Sequence, residues 1–231
     1  MLLENTLTNW SATKLDHYNE CPYRVYLKYI KRVPEPPPNP KYEVKRQRGI
    51  LFHDNLRDCI NDGAPVPREL MDFEEIIDGY RALGAVAEVD EFFDKQWKPH
   101  PQWQGHWLVV KKDVRILVPG EFVLIADWKT GKKHGNEYKH YRQMQLYAVS
   151  EYVLDPGFPE YTVELQYLDQ KDTWQHTFKP HELEKAWRDF DREANVMFND
   201  RMFRPRPSIV VCRYCPFNSK NGSGACAVAA L

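Results

Sequence analysis

Two aspartates and a lysine are the residues in this chain whose types and spacing most directly suggest chemistry. The stretch Phe122-Val-Leu-Ile-Ala-Asp127-Trp-Lys129-Thr-Gly-Lys132 opens with five apolar residues, too few for a free-standing helix and rich in branched side chains. It reads as a buried strand. Side chains alternate along a strand, so Asp127 and Lys129 emerge on one face with Trp128 on the other. Upstream, Trp107 to Leu117 also has strand composition, and Pro119-Gly120 marks a turn. A loop over 119–121 pairs Val118 with Phe122, and the same register sets Asp113 opposite Asp127, with Cβ atoms about 4.5–5.5 Å apart. Two carboxylates that close repel unless a proton or cation lies between them. Magnesium, which takes one or two carboxylates and leaves its other positions to water and phosphate oxygens, suits such a pair. Lys129 alongside would orient an attacking water or stabilise charge on a phosphate.

The cysteines suggest a second chemistry. Cys212-Arg-Tyr-Cys215-Pro with Cys226 nearby is a metal-binding spacing, because a turn of that length aims two thiolates at one centre. A fourth ligand is needed, and Cys21-Pro22 resembles Cys215-Pro216; Cys followed by Pro recurs at iron–sulfur ligands. Cys59 lies on an apolar helix face and reads as core. Cys21, Cys212, Cys215 and Cys226 therefore form one four-thiolate site joining the two ends of the chain. Spacing alone leaves iron–sulfur and structural zinc both open.

The elements that must carry these residues follow from periodicity. Ser11 is an N-cap for a helix whose core side holds Leu15, Tyr18, Tyr26 and Ile30, broken at Cys21-Pro22. Pro34 to Pro40 is a stiff connector. Lys41 to Arg48, with four basic residues and one acid, is a phosphate-contacting candidate. Gly49 precedes a second helix with Leu51, Phe52, Leu56, Cys59 and Ile60, which also carries His53. A third helix is expected over Glu69 to Leu83 and a strand over Ala85 to Phe93, the latter bringing Glu88 to the sheet of Asp113 with Glu91 as its rival. Lys132, Lys133 and His134 make a second basic cluster. Tyr138 to Leu154 is a helix with Gln143 and Tyr147 on one face. Tyr161 to Leu168 and Thr173 to Phe178 form another hairpin, and Pro180 opens an amphipathic helix to Asn199.

Composition narrows the classes. At 231 residues, 42% hydrophobic and 13% aromatic, the chain is globular and can bury a full core. A net charge of −1 confines any nucleic-acid surface to local patches. Met1 to Trp10 lacks a signal-peptide pattern, and no apolar run is long enough to span a membrane, so a cytoplasmic protein is expected. No phosphate-binding Walker loop is present, which excludes an ATP-driven motor in this chain.

In order, these motifs resemble the PD-(D/E)XK nuclease superfamily, and within it the RecB-type exonucleases and their CRISPR-associated and phage recombination relatives. Asp113 matches the first acid, Asp127-Trp-Lys129-Thr-Gly the D-x-K-T-G core, and Gln143-Met-Gln-Leu-Tyr147 the Q-x-x-x-Y helix. His53 matches the branch's additional metal-ligating histidine. Ser11-Ala-Thr-Lys-Leu with Cys21-Pro-Tyr resembles the opening of its iron–sulfur members, whose other three cysteines lie at the C-terminus. Two features depart from the pattern: Lys112 precedes Asp113 where a small or apolar residue is usual, and the gap from Cys215 to Cys226 is long.

The resemblance implies an α/β, restriction-endonuclease-like fold, with a mixed central sheet of about five strands flanked by helices. One nuclease domain would span 1–231, with 1–40 and 200–231 forming a cluster-bearing appendage. It implies Mg²⁺ or Mn²⁺ held by His53, Asp113, Asp127 and Glu88, and catalytic roles for Asp113, Asp127, Lys129, Gln143 and Tyr147. It further implies a 4Fe–4S cluster on Cys21, Cys212, Cys215 and Cys226, with Zn²⁺ as the alternative. The implied activity is hydrolysis of DNA at ends or in single strands, with protein partners in recombination or CRISPR adaptation. An RNA or structure-specific endonuclease and a catalytically silent nucleic-acid-binding module are the alternatives.

Overall fold

The computed structural model describes residues 3–37, 40–101, 104–131, 133–220 and 222–228. Lys132 and the side chain of Lys41 lie outside the described residues. The chain divides into two compact units, one formed by Met1–Pro38 with Asp189–Leu231 and the other by Asn39–Arg188. Among the described residues no helix is long and apolar enough to cross a membrane.

The larger unit is built on a five-stranded sheet in sequence order, β1 (Val86–Phe93), β2 (Leu108–Val118), β3 (Phe122–Lys129), β4 (Tyr161–Tyr167) and β5 (Asp172–Phe178). Every neighbouring pair is antiparallel except β3 and β4, which are parallel. A parallel pair needs a crossover, and α5 (Glu137–Leu154) supplies it. The β2–β3 hairpin closes with Val118 opposite Phe122, the register that the Pro119-Gly120 turn predicts. Gly120 has φ +77°, a conformation that favours glycine.

One face of the sheet is covered by α3 (Pro40–Asp62) and α4 (Glu74–Ala82), which bury Phe52, Leu56, Ile77 and Tyr80 against Val114, Ile116, Ala126 and Trp128. Trp128 is central: its ring lies 5.8 Å from Phe52, 5.3 Å edge-on to Phe73 and 6.3 Å edge-on to Tyr80. Removing a fully buried ring of this size typically costs about 3–5 kcal/mol. Burial of this one side chain therefore sends Asp127 and Lys129 to the opposite face.

Two elements differ from expectation. The helix carrying His53 starts at Pro40 rather than after Gly49, so the basic stretch is helical. Pro40 fits a first turn, Lys, Arg, Gln and Glu are good helix formers, and Glu43 pairs with Arg46 and Gln47 one turn on. Gly49 is tolerated inside the helix by close approach, since a Cβ there would lie 3.3 Å from Thr130 Oγ1. The expected helix Glu69–Leu83 is split into a 3₁₀ segment, Arg68–Phe73, and α4.

In the smaller unit, Ser11 Oγ caps α1 (Ala12–Glu20) by accepting from Lys14 N–H, and Pro22 opens α2 (Pro22–Val25), which continues into a π-helical turn, Tyr26–Ile30. α6 (Pro180–Asn199) contributes its C-terminal part, and α7 (Ile209–Arg213), capped by Ser208, carries Cys212.

Candidate active site and thiol cluster

The site in the larger unit is assembled from β1, β2, β3, α3 and α5. His53 Nδ1 of α3 lies 3.5 Å from Asp113 Oδ1 and 3.7 Å from Glu88 Oε1. One ligand atom from each of the three residues lies within 4.8 Å of the other two. An octahedral divalent ion with bonds of 2.0–2.1 Å sets adjacent ligands about 2.9 Å and opposite ligands about 4.2 Å apart, so this trio could share one ion after drawing in by somewhat under an ångström. Glu91, the rival of Glu88, faces elsewhere: its carboxylate meets Lys112 at 2.6 Å and Arg115 at 3.3 Å.

Asp113 is not simply opposite Asp127. The β2–β3 ladder ends at Val114 and Ala126, and Asp113 Oδ2 instead accepts the Trp128 N–H at 2.7 Å. The β1–β2 ladder pairs Ala87 with Val114 and Val89 with Lys112, but skips Glu88 and Asp113 between them. Glu88 has φ +55°, a left-handed conformation unusual for a glutamate and the kind of backbone strain that collects at functional sites. Two carboxylates facing across a ladder repel. The break turns them towards His53.

On the neighbouring strand Asp127 is buried. Its Oδ1 accepts from Gln143 Nε2 at 3.2 Å, while Lys129 Nζ lies 2.6 Å from Oδ2. Oδ2 therefore faces the Lys129 ammonium directly, a close ion contact inside a buried site. Gln143 joins three groups, accepting from Lys129 Nζ at 3.1 Å and donating to the Tyr147 hydroxyl at 2.6 Å. Its four-residue spacing from Tyr147 on α5 makes this possible.

The charges are interdependent. Burial, and next the charge of Asp127, push the Asp113 carboxyl well above the usual carboxylate range, against Lys129 and the Trp128 N–H. Burial alone would lower Lys129, but Asp127 and Asp113 outweigh it and hold the ammonium above its ordinary value. Burial, then Asp127 and Asp113, raise the Tyr147 phenol, which therefore remains neutral at physiological pH. The cluster of acids could hold a divalent cation, with the Lys129 ammonium beside it.

In the smaller unit, Cys21, Cys212, Cys215 and Cys226 all line one cavity, walled also by Leu27 and Val211. All four are free thiols. Burial pushes the Cys215 thiol up; the Phe217 backbone and Arg24 oppose this, and Cys21 and Cys226 push it further. Four convergent thiols on an apolar-walled cavity would suit a soft metal or cluster, which would take them as thiolates. Asn218 explains how the long gap between Cys215 and Cys226 closes. It is buried, its amide donates to the Cys212 and Cys215 carbonyls, and its Oδ1 accepts from Lys220 and Gly222. Cys226 N–H then bonds the Phe217 carbonyl. At Gly222 a Cβ would meet Pro216 O at 2.5 Å, so only glycine fits. Sequence reading missed Asn218; the Asn and Gly within the Cys215–Cys226 gap were its only signal. Cys59 is buried in the other unit's core.

No curated protein sequence matches this chain. Among solved structures it is similar to SSO0001, with 14% identity, 99% of this chain and 90% of that one covered, and a TM-score of 0.45. It is also similar to a candidate exonuclease from Eubacterium rectale, with 12% identity, coverage of 91% and 88%, and a TM-score of 0.47. The family model for the PD-(D/E)XK nuclease superfamily matches residues 9–117 and 108–219. Those segments together span most of the chain, which belongs to the PD-(D/E)XK nuclease superfamily.

Proposed function

We propose that the protein is a divalent-metal-dependent deoxyribonuclease that hydrolyses phosphodiester bonds from DNA ends or in single strands. The observation that carries the reading is the convergence of His53, Glu88 and Asp113 beside the Asp127–Lys129 pair. His53, Glu88, Asp113 and Asp127 would hold Mg²⁺ or Mn²⁺. Such an ion, when bound, lowers the pKa of water and offsets phosphate charge. Lys129 orients the attacking water and balances charge gathering on the phosphate. Gln143 holds Lys129 and Asp127 at fixed separation, and Tyr147, neutral and buried, holds Gln143. The choice of DNA and of an exonucleolytic mode rests on the order of motifs shared with RecB-type nucleases.

The test is a cleavage assay with end-labelled single-stranded, duplex and flapped DNA, and with RNA, in Mg²⁺ or Mn²⁺ and in chelator. Metal-dependent loss of end label from DNA is expected, and Lys129→Ala should abolish it. Full activity of that variant, or cleavage in chelator, would place the chemistry elsewhere.

Substrate binding is expected to use the exposed Lys45, Arg46 and Arg48 of α3 together with Lys133. Each phosphate neutralised releases counterions, so affinity should fall steeply with salt. Lys45→Ala with Arg48→Ala should reduce the log–log slope by about 1–2 in a salt titration. An unchanged slope would remove these residues from the interface.

The reading includes a 4Fe–4S cluster on Cys21, Cys212, Cys215 and Cys226, with structural Zn²⁺ as the alternative. Its support is the shared, apolar-walled cavity and the Cys-Pro pairs at two of the four positions.

A further inference from the structure

Lys112 stands where the resemblance leads one to expect a small or apolar residue, and its surroundings are unusual. Its side chain is fully buried, with Nζ 2.6 Å from Glu91 Oε2 and 2.5 Å from Glu151 Oε1. Arg115 completes the group, lying 3.3 Å from Glu91 and 3.9 Å from Glu151. Two cations and two acids cancel, so the cluster needs no ion of its own. A buried ionic cluster contributes little stability over an apolar replacement, and its best-attested use is to impose one register.

The register at stake is that of Asp113. Along a regular strand Lys112 and Val114 would share a face. Here Val114 packs in the α3–α4 core, whereas Lys112 bonds Glu151 of α5. The pleat thus reverses at Asp113, which the β1–β2 ladder skips and before which the β2–β3 ladder ends. Glu151 also follows Gln143 and Tyr147 at four-residue steps, so one stripe of α5 carries the groups around Asp127 and the anchor of Lys112.

We infer that Lys112 is a positioning residue: its directed bond to Glu151 locks the pleat reversal that presents Asp113 to the Trp128 amide and to His53, and ties the strand of Asp113 to the helix of Gln143. The consequence for metal binding rests on the function proposed above; the consequence for the Trp128 amide does not.

The experiment compares wild type, Lys112→Met and Lys112→Met/Glu151→Leu without nucleic acid. Three properties are measured: melting temperature, hydrogen exchange of the Trp128 amide by NMR, and Mn²⁺ affinity by calorimetry. The single variant should lose stability, because a buried carboxylate loses its nearest cation. The double variant, apolar at both positions, should recover the melting temperature. In that recovered protein the Trp128 amide should still exchange at least tenfold faster than in wild type, and Mn²⁺ should bind at least tenfold more weakly. Wild-type Trp128 protection in the recovered double variant would overturn the inference and leave Lys112 an ordinary packing residue. Should the double variant stay unstable, Lys112→Arg decides: it keeps the charge, and failure to restore Trp128 protection along with stability overturns the directed role. Lost protection together with no Mn²⁺ binding in wild type would uphold the positioning role and refute the metal site.

Discussion

Asp113→Asn is expected to lower cleavage about a hundred- to a thousandfold, the scale of removing one electrostatic group from a preorganised site, while raising the stability of the metal-free protein. The two effects have one cause. Burial and Asp127 raise the Asp113 carboxyl well above its ordinary value, so the folded state holds its proton more tightly than the unfolded chain does. A raised carboxyl contributes its stability fully below the unfolded pKa, near 4, and loses it as pH rises through the folded value. At neutral pH without metal, Asp113 therefore opposes folding, either through its buried charge or through the cost of taking up a proton. Asparagine keeps an oxygen for the Trp128 N–H and removes the charge. Thermal melts in chelator should show wild type losing stability from mildly acidic to neutral pH relative to the variant, by about 2–4 °C for each kcal/mol of relief. Saturating Mn²⁺ should reverse the order, because binding to the folded state alone stabilises it. An Asp113→Asn protein that cleaves normally would sink the site. One that is inactive but less stable than wild type in chelator at neutral pH would mean that Asp113 is not under electrostatic strain.

Anaerobically purified protein should be brown, and Cys21→Ser should bleach it as completely as Cys212→Ser although residues 22–211 lie between them. All four thiols line one cavity whose walls come from both ends of the chain, and they can meet only in the folded state. Metal affinity is then folding free energy; for structural zinc sites it reaches about 10–16 kcal/mol, as large as the whole stability of a typical domain. Loss of either cysteine should therefore open the smaller unit to proteolysis along residues 3–37 and 189–228. Cys59→Ala, in the other unit's core, should leave the colour unchanged. A colourless protein returning one zinc per chain would replace the cluster with a zinc site. A protein with neither metal would remove the four-thiolate centre from the reading.

What could be read from the sequence alone was set by local covalent geometry. Strand alternation placed Asp127 and Lys129 together and Trp128 opposite, and the Pro119-Gly120 turn determined the hairpin register. The four-residue step on a helix joined Gln143 to Tyr147, and the short Cys212–Cys215 spacing placed those two thiols on one cavity. Each depends on residues close along the chain, whose directions follow from backbone periods of 2 and 3.6. The tertiary structure decided the rest. Glu88 and Glu91 are three apart and face opposite ways in a regular strand, but which one meets His53 depends on the left-handed turn at Glu88 and the skipped rung at Asp113. Burial of Lys112 is invisible to composition, because a lysine is normally exposed and here needs acids from β1 and α5 at once. Asn218 likewise acts only once the Cys215–Cys226 loop has folded around it. Periodicity assigns a face; only the packing of several elements can reverse it, because the strain of doing so is offset by contacts between residues distant in sequence.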